Sequence, residues 1–127
     1  DYAVDRQATA PRGHPAPVLW FLTESRRGPD YLFASAAGLM LRSLGYPARV
    51  CLGFYAAPDK FDADTNHTPV TAADLHVWPE LLLADGSWLV AEPTPGYATL
   101  PPLTPWAEWA EATARAAVEA LVAGGRA

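Results

Sequence analysis

The segment from Pro29 to Pro47 constrains this chain more than any other, because it spells one helix with both ends marked. Phe33, Ala36, Ala37, Met40, Leu41 and Leu44 recur at the i, i+3, i+4, i+7 spacing that gathers side chains onto one apolar face. Asp30 stands where a helix N-cap belongs. Gly45 suits the C-terminal end, and Pro47 forbids continuation. The small residues Ala34, Ser35, Ala36, Ala37 and Gly38 let neighbouring elements approach closely.

Around this helix the chain divides readily. Residues 1–17, rich in Pro, Ala and charge, read as an extended lead-in. Val18, Leu19, Phe21 and Leu22 make one or two helical turns, which the run Arg26 to Pro29 breaks. Val, Leu, Phe and Tyr content predicts a strand over 48–55. Residues 56–73 form a polar loop long enough to be functional, and expected to border a site. A strand follows over 75–83, Asp85-Gly86 signals a two-residue hairpin, and 88–91 returns as its partner. Pro93 and Pro95 end the sheet, because prolines cannot sit in a central ladder. Residues 101–127 read as a C-terminal helical segment, starting at Thr104-Pro105-Trp106 and stopped by Gly124-Gly125. The core is therefore 18–100. A helix followed by antiparallel strands predicts an α+β fold with the helix packed on the sheet.

At 127 residues, half of them apolar, the chain suffices for one core and is too short for two. Nine Lys and Arg against 14 Asp and Glu, with no basic run, argue against nucleic acid or an anionic membrane surface as partner. With one Cys, no disulfide forms within the chain. No apolar stretch approaches the ~18 residues of a membrane span. The start at Asp1, without initiator Met or signal-peptide pattern, leads us to expect a piece of a longer protein.

Three positions invite chemistry. A residue at the N-terminus of a buried helix meets free backbone N–H groups and a positive dipole end. A thiol there loses its proton easily, and a carboxylate there is a stabilising cap, which is the plain reading of Asp30. In Asp74-Leu75-His76-Val77-Trp78-Pro79-Glu80, strand alternation puts His76, Trp78 and Glu80 on one face and Leu75 and Val77 on the other. His76 titrates near neutrality when unperturbed, although a lone strand His is more often a packed or surface residue. Glu92 lies, like His76, far from the turn at Asp85-Gly86. It is either an exposed strand-end carboxylate or an acceptor that fixes the His76 tautomer.

Four blocks in order join these positions: Gly28-Pro29-Asp30-Tyr31-Leu32-Phe33-Ala34, Leu41-Arg42-Ser43-Leu44-Gly45-Tyr46-Pro47-Ala48-Arg49, His76-Val77-Trp78-Pro79-Glu80, and Trp88-Leu89-Val90-Ala91-Glu92-Pro93-Thr94-Pro95. Together they resemble the transglutaminase-like (papain-like) superfamily of bacterial type over residues 18–97. That family shows Gly-x-Cys-x-x-Phe-Ala, Leu-Arg-x-x-Gly-x-Pro-Ala-Arg, His-Ala-Trp-x-Glu and Asp-Pro-Thr. The resemblance implies a Cys-His-Asp triad at positions 30, 76 and 92, where this chain carries Asp30, His76 and Glu92. Glu for Asp keeps the orienting carboxylate. Asp for Cys removes the nucleophile, and a carboxylate attacks amides far more weakly than a thiolate. Cys51, on the strand after the helix, reads as a small core hydrophobe.

These readings lead to a non-catalytic binding or scaffolding module, a pseudoenzyme with a degenerate triad. Asp30 would then pair with a protonated His76, within ~4 Å of a ring nitrogen. One alternative is a hydrolase or acyl-transfer enzyme using Asp30, His76 and Glu92. A second is a divalent-metal site built from the same residues. A peptide or protein is the expected ligand, and no cofactor is expected. Many bacterial relatives of the family sit in membrane-anchored proteins, so the resemblance also implies a flanking membrane segment outside this chain.

Overall fold

The expected helix forms over Asp30–Ser43 (α2) in the computed structural model, which describes residues 1–98. Pro29 is the extended cap residue, one residue earlier than the cap expected from sequence, and Asp30 is the first helical position. The Asp30 side chain still acts locally, with Oδ1 accepting the Tyr31 N–H at 2.8 Å. At the far end Gly45 adopts φ +85°. There the Tyr46 N–H donates to the Leu41 carbonyl and the Gly45 N–H to the Arg42 carbonyl, each at 3.0 Å. This pair of bonds satisfies carbonyls the helix end leaves open, and only a residue at ease with positive φ allows it.

The apolar face of α2 is displaced from the one expected. Leu32, Phe33, Ala34, Ala36 and Gly38 are buried, whereas Met40 and Leu44 are 50% and 72% exposed. The helix has two covers, the short unit that precedes it and the sheet described below. Helix α1 (Pro17–Trp20) continues into a widened π turn over Phe21–Ser25, ending at Arg26 with φ 54°. That short unit packs Phe21, flanked by Val18, Trp20 and Leu22, against Leu32, Phe33 and Ala36. Phe21 meets Phe33 edge-on, with ring centroids 4.7 Å apart. No described residue buries Met40 or Leu44.

The lead-in is extended but not idle. Ala3–Val4 (β1) pairs in parallel with Arg27–Gly28 (β2), just before α2. The Tyr2 hydroxyl donates to the Leu22 carbonyl at 2.7 Å, and its ring packs on Phe21.

Three antiparallel strands complete the fold: Ala48–Phe54 (β3), Leu75–Leu82 (β4) and Trp88–Val90 (β5), in the order β3-β4-β5. Helix α2 packs chiefly on β4, the central strand. The fold is thus α+β, as the order of a helix followed by antiparallel strands predicted. The hairpin is longer than two residues. The Leu83 N–H donates to the Ser87 carbonyl at 2.8 Å and the Gly86 N–H to the Leu83 carbonyl at 3.0 Å, with Gly86 at φ +85°. The positive φ falls on the last loop residue, which is how a three-residue hairpin loop closes. The C-terminal segment expected at 101–127 lies outside the described residues.

β4 carries Pro79 in the middle of a sheet, a position proline ordinarily avoids. It is tolerated because the ladder with β5 ends there. Register pairs Glu80 with Val90, and beyond that rung only the Pro79 carbonyl continues, accepting the Ala91 N–H at 3.0 Å.

Candidate functional site

The end of that ladder creates the site. Alternate residues of a strand present their N–H groups to the same side, so Val77 faces the side from which β5 has already departed. Glu92-Pro93 follows β5, and Pro93 has no N–H to extend the pairing. The orphaned Val77 N–H donates instead to Asp30 Oδ2 at 3.0 Å. The same oxygen lies 2.9 Å from His76 Nδ1. The first turn of α2 is thereby tied to β4 by one carboxylate.

His76 is 2% exposed, and its other nitrogen, Nε2, lies 2.7 Å from Glu92 Oε2. The structure therefore brings Asp30, His76 and Glu92 together, with one carboxylate on each side of the imidazole. A neutral ring has a single N–H and can donate to only one of them, whereas the imidazolium donates to both. Glu92 is itself held, its Oε1 accepting the Thr94 N–H at 2.8 Å. The Thr94 hydroxyl is buried and has no partner among the described residues.

Aromatic rings enclose the imidazole. Tyr97 stacks flat on it, with centroids 3.7 Å apart and planes within 5°. Tyr55 packs edge-on against Tyr97, and its hydroxyl accepts the Ala98 N–H at 3.0 Å. Trp78 lies 6.0 Å from the imidazole in a near-parallel plane. Sequence pattern held no signal for Tyr97 or Tyr55, because their contacts arise only when three separate chain segments meet.

Strand alternation did place Trp78 and Glu80 on the His76 face. Register sets Gly53 opposite His76, Cys51 opposite Trp78 and Arg49 opposite Glu80. Gly53 is needed there, because a Cβ at that position would lie 2.7 Å from Trp78 Cη2. The Trp78 indole N–H donates to Glu80 Oε1 at 3.1 Å, while two Arg49 nitrogens lie 2.7 and 2.6 Å from Glu80 Oε2. The Arg49 guanidinium also covers the Trp88 ring, 3.9 Å from its centroid. Burial opposes ionisation of Glu80, but the bonds from Trp78 and Arg49 outweigh it and hold the carboxyl below its ordinary range.

Cys51 is half-buried rather than a core residue. Burial, followed by the neighbouring Glu80 carboxylate, pushes its thiol up from the ordinary value. A raised thiol is the opposite of an activated nucleophile.

Between β3, β4 and the following loop lies a cavity of about 340 Å³ lined by Tyr55, Pro58, His76, Trp78, Glu80 and Glu92 among others. The loop over 56–73 thus borders the site through Ala56 and Pro58, as its endpoints required. Its tip, Asn66-His67-Thr68, is closed by an isolated bridge between Asp62 and His67 and does not line the cavity. The loop's return is pinned by Asp74, which accepts from Thr71 and pairs with Lys60. These contacts, Lys60 foremost, lower the Asp74 carboxyl to about 2.

The metal arrangement considered from sequence does not form. The imidazole separates the two carboxylates, so their oxygens do not converge on a common point with a free ring nitrogen. No group of three His, Cys, Asp or Glu side chains among the described residues could hold a metal ion.

Comparison with known proteins gives the following. The family model for the transglutaminase-like superfamily matches residues 1–93. The uncharacterized protein YebA of Bacillus subtilis (strain 168) is 33% identical over 91 residues, covering 70% of this chain and 12% of that protein. The protein-glutamine gamma-glutamyltransferase of Pseudomonas aeruginosa is 32% identical over 74 residues, covering 58% of this chain and 11% of that protein. Among solved structures, the periplasmic domain of TgpA from Pseudomonas aeruginosa bound to ethylmercury superposes with a TM-score of 0.59 at 28% identity. That match covers 72% of this chain and 32% of the other. The chain therefore spans only a small part of the curated relatives it matches.

Proposed function

We propose that this chain, which belongs to the transglutaminase-like superfamily, is a member that has lost the family's thiol and serves as a non-catalytic binding module of a larger bacterial protein. The observation that carries the reading is the Asp30 carboxylate at the first turn of α2, 2.9 Å from His76 Nδ1. By the resemblance of the flanking motif, this is the place of the nucleophilic Cys. The chain's one cysteine, Cys51, sits on β3 opposite Trp78 and carries a raised thiol.

A carboxylate is a weak nucleophile toward amides, and this one already accepts two hydrogen bonds. The hydrolase alternative needs a free imidazole nitrogen to activate water. Both nitrogens of His76 are taken by carboxylates, which supports the non-catalytic reading. In this role the Asp30-His76-Glu92 set is a cross-link between α2, β4 and the segment after β5. The periplasmic setting of the TgpA domain supports placing this module outside the bacterial cytoplasm, on a membrane-anchored parent.

The test is turnover. Purified protein is incubated with a glutamine-containing peptide and a primary amine, and ammonia release and amine incorporation are followed. We expect neither above the protein-free rate. Ammonia release that disappears in Asp30→Asn would overturn the reading in favour of an enzyme.

A further inference from the structure

The face of the sheet that carries α2 is only partly covered. Val50 lies against α2, where a Cβ on Gly38 would come 3.3 Å from its Cγ2. Strand alternation puts Leu52 and Phe54 on that same face, and Leu75 joins them as the register partner of Phe54. Helix α2 packs chiefly on β4 and leaves this row open. The four side chains are between 43% and 67% exposed. β3 is also an edge strand of the described sheet. An apolar row along a sheet edge is a surface for further chain, because water otherwise meets both the side chains and the unpaired backbone.

The sequence after the described residues supplies a cover of matching length. The Ala98 N–H donates to the Tyr55 hydroxyl at 3.0 Å, and Tyr55 directly follows Phe54. The described chain therefore ends beside the Phe54 end of the row. Pro101, Pro102 and Pro105 favour an extended link, which at about 3 Å per residue reaches about 20 Å by position 105. Rounding the edge of β3 to the face with α2 takes about 10 Å, the separation of packed layers. Beyond the link, a 3.6-residue period gathers Trp106, Ala110, Ala117 and Leu121 on one side. It puts Glu108, Glu111, Arg115 and Glu119 on the other. A helix over 106–122 measures about 25 Å, and the seven residues of β3 extend about 23 Å.

We propose that residues 106–122 dock as an amphipathic helix beside α2, laying that apolar side on Val50, Leu52, Phe54 and Leu75. A tethered segment acts at an effective concentration in the millimolar range, so at micromolar protein it outcompetes a second copy of the chain for the row. Docking fastens the far end of the stretch that brings Glu92 and Tyr97 onto His76. The inference does not depend on the non-catalytic reading above.

The experiment is amide hydrogen exchange by mass spectrometry on the full chain. An isolated helix of this length is marginal in water, so lasting protection of 106–122 requires docking. Exchange there is expected to be at least about tenfold slower than in an unstructured peptide of the same sequence. Leu52→Ser should remove that protection while β4 keeps its own. Leu75→Ser carries the same expectation should Leu52→Ser lose its fold by circular dichroism. Leu44→Ser, on an exposed part of α2 outside the row, should change nothing. An unprotected 106–122 overturns the inference, as does protection indifferent to the row variants. Loss of protection in Leu44→Ser would place the segment elsewhere and overturn it equally. Protection that falls on dilution through the micromolar range would give the row to a second copy instead.

Discussion

Asp30 accepts the backbone N–H of Val77 at 3.0 Å, joining the first turn of α2 to the one donor of β4 that the departing β5 leaves behind. The same oxygen faces His76, so a single side chain satisfies a strand edge and orients an imidazole. Removing it as Asp30→Ala strands the Val77 donor and one ring nitrogen in a largely enclosed site. We expect a loss of about 1–3 kcal/mol, measured by urea denaturation. A loss below about 0.5 kcal/mol, the size of a neutral surface change, would mean that water replaces the carboxylate without cost.

Asp30→Cys places a thiol at a helix N-terminus beside His76, two features that depress a thiol pKa. The variant should fold, with a stability loss of about 1–3 kcal/mol, because a thiol is a weak acceptor for the Val77 N–H. Its new thiol should alkylate with iodoacetamide faster than Cys51 at neutral pH, and its rate–pH profile should be shifted to lower pH. An inert thiol in a folded variant would show that the helix terminus does not activate this position.

Cys51 in the unaltered protein is expected to react slowly. Burial and the Glu80 carboxylate raise its thiol, so the thiolate is scarce at neutral pH. Labelling should accelerate severalfold on unfolding in urea. Equal rates for folded and unfolded chains would contradict the half-buried placement.

Gly53→Ala sets a methyl 2.7 Å from Trp78 Cη2. Trp78 is tethered through its indole N–H to Glu80 and cannot swing away freely. Overpacking of this kind costs about 1–3 kcal/mol. Thermal melts should show the loss, and Trp fluorescence should shift as the indole is displaced.

Asp74 gives the loop over 56–73 an acid-sensitive anchor. Its carboxyl lies at about 2 in the folded protein, below the ordinary value of 3.8. The unfolded chain therefore binds this proton first as pH falls, so the contribution is present above about pH 4 and is lost between there and about pH 2. Asp74→Asn should be less stable than the unaltered protein at pH 6, and the gap should close toward pH 2. A gap independent of pH would show that the Lys60 and Thr71 contacts do not act through charge.

Local patterns account for much of what is seen. The proline, the glycine and the apolar spacing between Pro29 and Pro47 determined a helix, its end at Gly45 and the strand after it, because those signals act within a few residues. Alternation determined that His76, Trp78 and Glu80 share a face, because strand geometry has a period of two. Four motif blocks in order pointed to the family. Tertiary structure alone decided the rest. It chose which side of α2 is buried, because the helix packs against both the α1 unit and β4, leaving Met40 and Leu44 open. It put Tyr97 flat on His76 and gave Asp30 the Val77 donor. Those contacts join residues 21 and 47 positions apart, and no local preference carries information over that distance. The second exists because the ladder between β4 and β5 ends at Pro79, and the Val77 N–H left behind must find its partner elsewhere in the fold.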